Sequence, residues 1–160
     1  MPEDNLQRMI SLAEEFFDVK NDPDQISVDE ETRTRLLAIH PNTMTEVRNE
    51  DGPIVWVLVI PTTIDLMEQF LAKSINEQQI LQNTSPGGRY DAVYLCSALV
   101  LPEHRGKGLA KRSAVQAVRK IQQQHAIKEL FAWTFSKEGE GLSISIAKEL
   151  GLPLHLRGAG

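Results

Sequence analysis

Seven consecutive apolar residues, "IVWVLVI" from Ile54 to Ile60, constrain this chain more than any other stretch. β-Branched side chains dominate the run and favour a strand. A strand that is apolar on both faces has to be covered on both. Seven residues fall far short of a bilayer. The run therefore belongs inside a layered domain, as an internal strand.

The rest of the chain supplies the layers. Leu6, Met9, Ile10, Ala13, Phe16 and Phe17 recur at helical spacing, which predicts an amphipathic helix over residues 3–19, stopped by Asn21-Asp22-Pro23-Asp24. Ser27 followed by Glu30 has the capping-box pattern of a second helix ending before Pro41. Thr43 to Arg48 and Ile54 to Ile60, with Asp51-Gly52 between them, predict a hairpin. Thr62 or Thr63 can cap a helix over 63–81 that carries Met67, Phe70, Leu71 and Ile75. After the loop "NTSPGGR", a long strand is predicted from Tyr90 to Leu101, a helix from Gly108 to His125, and a strand from Ile127 to Phe135 with Phe131, Trp133 and Phe135 on one face. Gly139 and Gly141 are expected to precede a short helix with Gly151 as its C-cap, and the tail has room for one last strand. The order is ααββαβαβα, possible final strand aside: a mixed α/β sheet with helices on both faces. One domain is expected over 1–160, with N-terminal helices to residue 41 and a core over 42–152.

Composition excludes several classes. A net charge of −5 argues against general nucleic-acid binding and leaves room for a cationic substrate. One cysteine, Cys96, allows neither an internal disulfide nor a Cys-based zinc site, and His40, His104, His125 and His155 lack metal-ligand spacing. No metal and no membrane partner is expected. The opening Met-Pro-Glu-Asp lacks the basic region of a signal peptide, so a cytoplasmic location is expected.

Against this acidic background, "ALVLPEHRGKGLAKR" (Ala98 to Arg112) puts Arg105, Lys107, Lys111 and Arg112 around two glycines where a strand meets a helix. A helix N-terminus offers unpaired N–H groups and partial positive charge. Gly106 and Gly108 leave room for a phosphate to approach them. A tight turn with a solvated basic face is the plainer alternative; the local charge excess favours an anion the size of a pyrophosphate. No G-x-x-x-x-G-K-[ST] string exists, and Lys111 stands where a dinucleotide fingerprint needs its third glycine.

"RGKGLA", Arg105 to Ala110, resembles the [RQ]-x-x-G-x-[GA] signature of the GNAT superfamily of N-acetyltransferases. "VLPEHRGKGLAKR" is similar to that family's coenzyme A-binding segment, and "AKELGL" (Ala147 to Leu152) sits where relatives often have Y-E-K-x-G-F. The resemblance covers roughly residues 40–152, and the helix over 63–81 looks like an insertion in it. It implies an N-acetyltransferase that uses acetyl-CoA as co-substrate, with a small-molecule or peptide amine as acceptor. The N–H groups of Arg105, Gly106, Lys107, Gly108, Leu109, Ala110 and, by extension, Lys111 would hold the pyrophosphate. Leu99, Val100 and Leu101 would offer backbone groups to the pantetheine arm, which inserts where this strand splays from the next. An N–H near Val100 would polarise the thioester carbonyl.

The proton chemistry departs from the family pattern. Ala147 replaces the tyrosine acid of many relatives, and Ser143, one turn earlier, is either a partner for the sulfur or a local cap. Tyr94 holds the place of a carboxylate base. It either lines the site, with Cys96, Ala98 and Val100 on the same face by strand parity, or is a core residue with a satisfied hydroxyl. Leu95, Ser97, Leu99 and Leu101 take the other face. Glu46, Glu138 and Glu140 would hold a cationic amine or are simply solvated. Cys96 reads as a small buried residue. A coenzyme-binding sensor or interaction module without efficient catalysis is the alternative function, and the 63–81 helix is either a lid or a contact for a homodimer.

Overall fold

The computed structural model describes residues 4–20, 30–134 and 136–157, with the side chains of residues 14 and 16–20 left aside. The expected roles of Ser27 as a cap, of Phe16 and Phe17 on the first helix and of Phe135 on a strand face lie outside the described residues. Helices α1 (Asn5–Lys20) and α2 (Glu30–Ile39) lead into the hairpin β1 (Met44–Asn49) and β2 (Gly52–Thr62). Asn49 pairs with Gly52, so the turn is Glu50-Asp51, and Gly52, with φ at 122°, is already the first strand residue.

The helix expected over 63–81 is two helices, α3 (Ile64–Leu71) and α4 (Glu77–Asn83). Thr63 caps α3 by accepting the Leu66 N–H at 3.2 Å. The chain then breaks at Lys73, whose φ is 65°. Asn76 and Gln79 restart it with a reciprocal capping box, both bonds at 2.9 Å. β3 (Ala92–Val100), α5 (Leu109–Gln122), β4 (Glu129–Ala132), α6 (Lys137–Leu150) and β5 (Leu154–Leu156) complete the chain. β4 is shorter than the Ile127–Phe135 strand expected. α6 starts earlier than its glycines imply, because Ser136 accepts the Gly139 N–H at 3.0 Å and pulls Gly139 and Gly141 into the helix. Gly151 closes it in the left-handed conformation at φ 68°.

The five strands form one mixed sheet in the order β1-β2-β3-β4-β5. β1, β2 and β3 are antiparallel neighbours, and β3, β4 and β5 are parallel. Successive residues Val93 and Tyr94, and likewise Leu130 and Phe131, are completely buried, so both faces of the sheet are covered. α3 contributes Phe70 against Tyr94 and Phe131, at ring separations of 5.1 and 5.8 Å. The β3-α5-β4 and β4-α6-β5 crossovers step the same way across the sheet. A common hand puts α5 and α6 on one face, where they touch. No helix among the described residues is long and apolar enough to cross a membrane.

The C-terminal ends of α2 and α5 meet through two histidines. His40 Nε2 lies 2.9 Å from Gln124 Oε1, and His40 Nδ1 accepts the Asn42 N–H at 3.1 Å. The His125 ring lies 5.9 Å from that of His40 and 4.7 Å from that of Tyr90. Burial, and then the nearby His40, hold His125 below the ordinary histidine range. The unfolded chain therefore binds this proton more readily than the folded one. The stability due to a neutral His125 is complete above pH about 6.5 and is lost as pH falls through the lower folded value. Urea midpoints measured from pH 8 to 5 should fall less steeply for His125→Gln than for the parent; parallel curves would exclude His125 as the titrating group.

Candidate functional site

β3 outlasts its parallel neighbour. Ala92 to Leu95 pair with Glu129 to Ala132, but Cys96 to Val100 continue with no described strand on that side. On the other side, β3 pairs with β2 across a bulge. Leu95 faces Val59 and Ser97 faces Leu58, so Cys96 is the extra residue. A one-residue insertion shifts the alternation of side chains. The parity that would put Tyr94, Cys96, Ala98 and Val100 on one face thus fails beyond Cys96.

Backbone bonding fixes what the exposed edge presents. The Leu101 N–H donates to the Ile54 carbonyl at 3.0 Å. Alternation then makes Leu99–Trp56 and Ser97–Leu58 the hydrogen-bonded pairs, and it turns the N–H and C=O groups of Ala98 and Val100 away from β2, toward the gap. The Val100 carbonyl accepts Arg105 Nε at 3.1 Å. Of the three residues expected to serve a ligand arm, Leu99 and Leu101 therefore spend their N–H groups on β2, and Val100 keeps its own toward the gap. Ala98 joins it, a residue the sequence did not single out for this role.

The gap opens into a cleft of about 820 Å³. One wall is the β3 edge; the other comes from Trp133, Thr134 and α6, including Ser143. One end is the glycine loop: Arg105, Gly106, Gly108, Leu109, Ala110 and Lys111 all border the cleft, whereas Lys107 stays outside its lining in solvent. Gly106 and Gly108 are left-handed, at φ 80° and 73°, and a Cβ on either would point into open space. Gly108 is the N-cap of α5 and supplies no side-chain cap. The first bond of α5 runs from the Arg112 N–H to the Gly108 carbonyl, 3.0 Å, so the amides of Leu109, Ala110 and Lys111 precede the helical ladder. Arg8 of α1 pairs with Glu103 at 2.5 Å, and its hydrogen bond holds that carboxyl down to about 2. The Glu103 carboxylate, two residues before Arg105, is thereby paired with a cation of its own.

The expected proton-handling residues are placed unevenly. Ser143 borders the cleft, but its hydroxyl donates to the Gly139 carbonyl of its own helix at 3.0 Å. Ala147 is buried. Tyr94 does not border the cleft. It is completely buried, stacked on Phe131 at 4.9 Å, and its hydroxyl donates to Glu77 of α4. Burial and then the charges of Glu77 and Cys96 push this phenol well above its ordinary range, with Arg157 opposing. Glu138 lies in the cleft wall and Glu140 does not. Glu46 accepts from Trp56 Nε1 at 2.7 Å and from Arg48 at 2.9 Å; burial pushes its carboxyl up, but those bonds and the charges of Arg48 and Arg33 together hold it lower.

Glu77 is the residue that sequence reasoning missed. It is 0 % exposed, and besides the Tyr94 hydroxyl its Oε2 receives the Cys96 thiol at 3.7 Å. The sequence pattern puts it inside one helix over 63–81, as an acid with no apolar role; in the structure it opens α4. Among the described residues no three His, Cys, Asp or Glu side chains are grouped to hold a metal. No protein-family profile matches the chain, and no curated protein matches it in sequence.

Proposed function

We propose that this chain is a GNAT-type N-acyltransferase that moves an acetyl group from acetyl-CoA to a primary amine. The observation that carries the reading is the junction of β3 and α5. A strand edge with no described strand beside it leads, through a 3-10 turn at Pro102–His104, to two left-handed glycines at a helix N-terminus without a side-chain cap, with Arg105 and Lys111 beside it. A pantetheine arm is a short run of amides, which a strand edge can pair, and a pyrophosphate suits the loop amides. The residues present fit both ends of such a molecule in the right order. Three antiparallel strands followed by the parallel β4 and β5, with β3 running on past the end of β4, also support the family resemblance.

When bound, the thioester supplies the activated acyl group. The chain holds it so that an amine meets the carbonyl in line, and alignment of this kind is worth about 7 kcal/mol or more. The Ala98 and Val100 N–H groups, facing the gap, are suited to polarise the carbonyl oxygen. The acceptor is a cation in solution and meets Glu138 at the cleft wall. A cytoplasmic protein acting on a small amine or a peptide is the matching setting.

A second reading, a coenzyme A-binding module with little turnover, is favoured by the occupied hydroxyls of Tyr94 and Ser143 and by Ala147. Ligand melting shifts test the shared claim. At a hundredfold excess over its Kd, a ligand adds about 2.7 kcal/mol, which for a domain of this size raises Tm by about 5 to 10 °C. Acetyl-CoA and free coenzyme A should both do so and NAD should not; no shift at millimolar acetyl-CoA would remove both readings. Thiol release with a panel of small amines and peptides then separates enzyme from module.

A further inference from the structure

The buried carboxylate of Glu77 and the cleft share one side chain. Cys96 sits at the bulge of β3, borders the cleft and donates its thiol to Glu77 Oε2 at 3.7 Å. Tyr94 donates to the same oxygen from two residues earlier on the strand. Oε2 thus accepts from two donors on the same strand. A carboxylate with no exposed surface is costly to keep, and α4, which carries it, begins with its own capping box. Tyr94 and Cys96 from β3 face this carboxyl, and Arg157, from beyond β5, acts on the Tyr94 phenol beside it. The Arg157 guanidinium lies 4.5 Å from the Phe70 ring and 4.6 Å from that of Trp133.

We propose that Glu77 is the proton acceptor for the incoming amine and that it acts through Cys96, on the premise that the chain is the acyltransferase described above. An ammonium N–H bond breaks as its proton passes to the Cys96 sulfur, and the proton already on that sulfur passes to Glu77 Oε2. The amine is left neutral, Cys96 is unchanged and Glu77 is protonated. After attack, the acyl carbon–sulfur bond breaks and the departing coenzyme thiolate takes the proton back from Glu77 by the reverse route. The second amine proton, released as the amide forms, leaves to solvent. Tyr94 is a positioning residue that fixes Oε2, and its own proton stays in place. The bulge has a role here, because the extra residue brings a relay atom to the boundary between carboxylate and cleft.

The test is a set of four variants, each first checked for unchanged acetyl-CoA binding by calorimetry, so that loss of the coenzyme reading is seen separately. Glu77→Gln should lower kcat about 100-fold, in the range of general-base effects. Cys96→Ala should fall similarly, while Cys96→Ser, which restores an O–H relay, should recover much of the rate. A merely packed thiol predicts the reverse order, with Ala tolerated and Ser worse, and that result would overturn the proposal. Tyr94→Phe should cost less than Glu77→Gln. If the parent binds acetyl-CoA but no amine in the panel turns over, infrared spectroscopy decides. Cys96 is the single cysteine, so the S–H stretching band is its alone. The band should shift to lower frequency in the parent and return toward that of a free thiol in Glu77→Gln. The same band in both proteins sinks the proposal.

Discussion

Gly108→Val is expected to fold and to lose acetyl-CoA binding by more than about 100-fold, as two effects combine. Gly108 sits at φ 73°, a conformation that β-branched residues avoid at a cost of about 1–3 kcal/mol. The new side chain would also occupy the open space in front of the first amides of α5, where nothing lies within 4 Å of a Cβ. Gly87→Val is the control. Gly87 has φ 75° and equally open surroundings, but it lies in the loop before β3 and away from the cleft. Both variants should lose similar stability in urea titrations, and only Gly108→Val should lose the ligand by calorimetry. Arg105→Ala, which leaves the loop amides intact, should weaken binding by about fivefold, the upper range for an exposed charge. Normal binding by a folded Gly108→Val would remove the phosphate cradle from the account.

Phe70→Ala should destabilise the fold by about 3–5 kcal/mol, the range for emptying a buried aromatic site. At about 2–4 °C per kcal/mol this lowers Tm by roughly 10 °C. Phe70 is completely buried and touches three other rings: Tyr94 at 5.1 Å, Phe131 at 5.8 Å and Trp133 at 6.1 Å. The Arg157 guanidinium lies over it at 4.5 Å. Removing the ring leaves a cavity bounded by two strands and a helix, which cannot collapse without moving the sheet. Urea midpoints with an unchanged m-value would identify a pure stability loss. Phe70→Leu should recover about half, and a loss below about 1 kcal/mol for Phe70→Ala would mean that α3 contributes little to holding the parallel strands.

The parts of this architecture written in local periodicity were legible from the residues alone. The hairpin, the strand-helix-strand unit around the glycine loop, Gly151 as a cap and the final short strand all follow from patterns a few residues long. Other features depended on partners far away in sequence. Nothing near Cys96 announces a bulge, because its register is set against Leu58 and Val59. The split between α3 and α4 was in reach, since Asn76 and Gln79 make a capping pair, but the apolar series Met67, Phe70, Leu71 and Ile75 ran across the break and concealed it. β4 stops early because the chain leaves the sheet after Ala132 to enter α6 through Ser136. Tyr94 was read as either a lining or a core residue; the decision rests with Glu77, which reaches it only when α4 docks across the sheet.

The two walls of the cleft also differ in when they can exist. Residues 44–62 and 92–100 close an antiparallel unit, and the glycine loop follows directly on its last strand. The opposite wall arrives only after α5 has carried the chain across to β4 and α6 has begun, a parallel pairing with a large loop to close. Such non-local contacts are the slow part of assembly. A nascent or partly opened chain thus holds the loop and the strand edge without any enclosed space between them. A ligand that spans both walls then selects the completed molecule from that mixture. Occupancy would serve as a report that the last segment has docked, and the small molecule would contribute to finishing the fold that receives it.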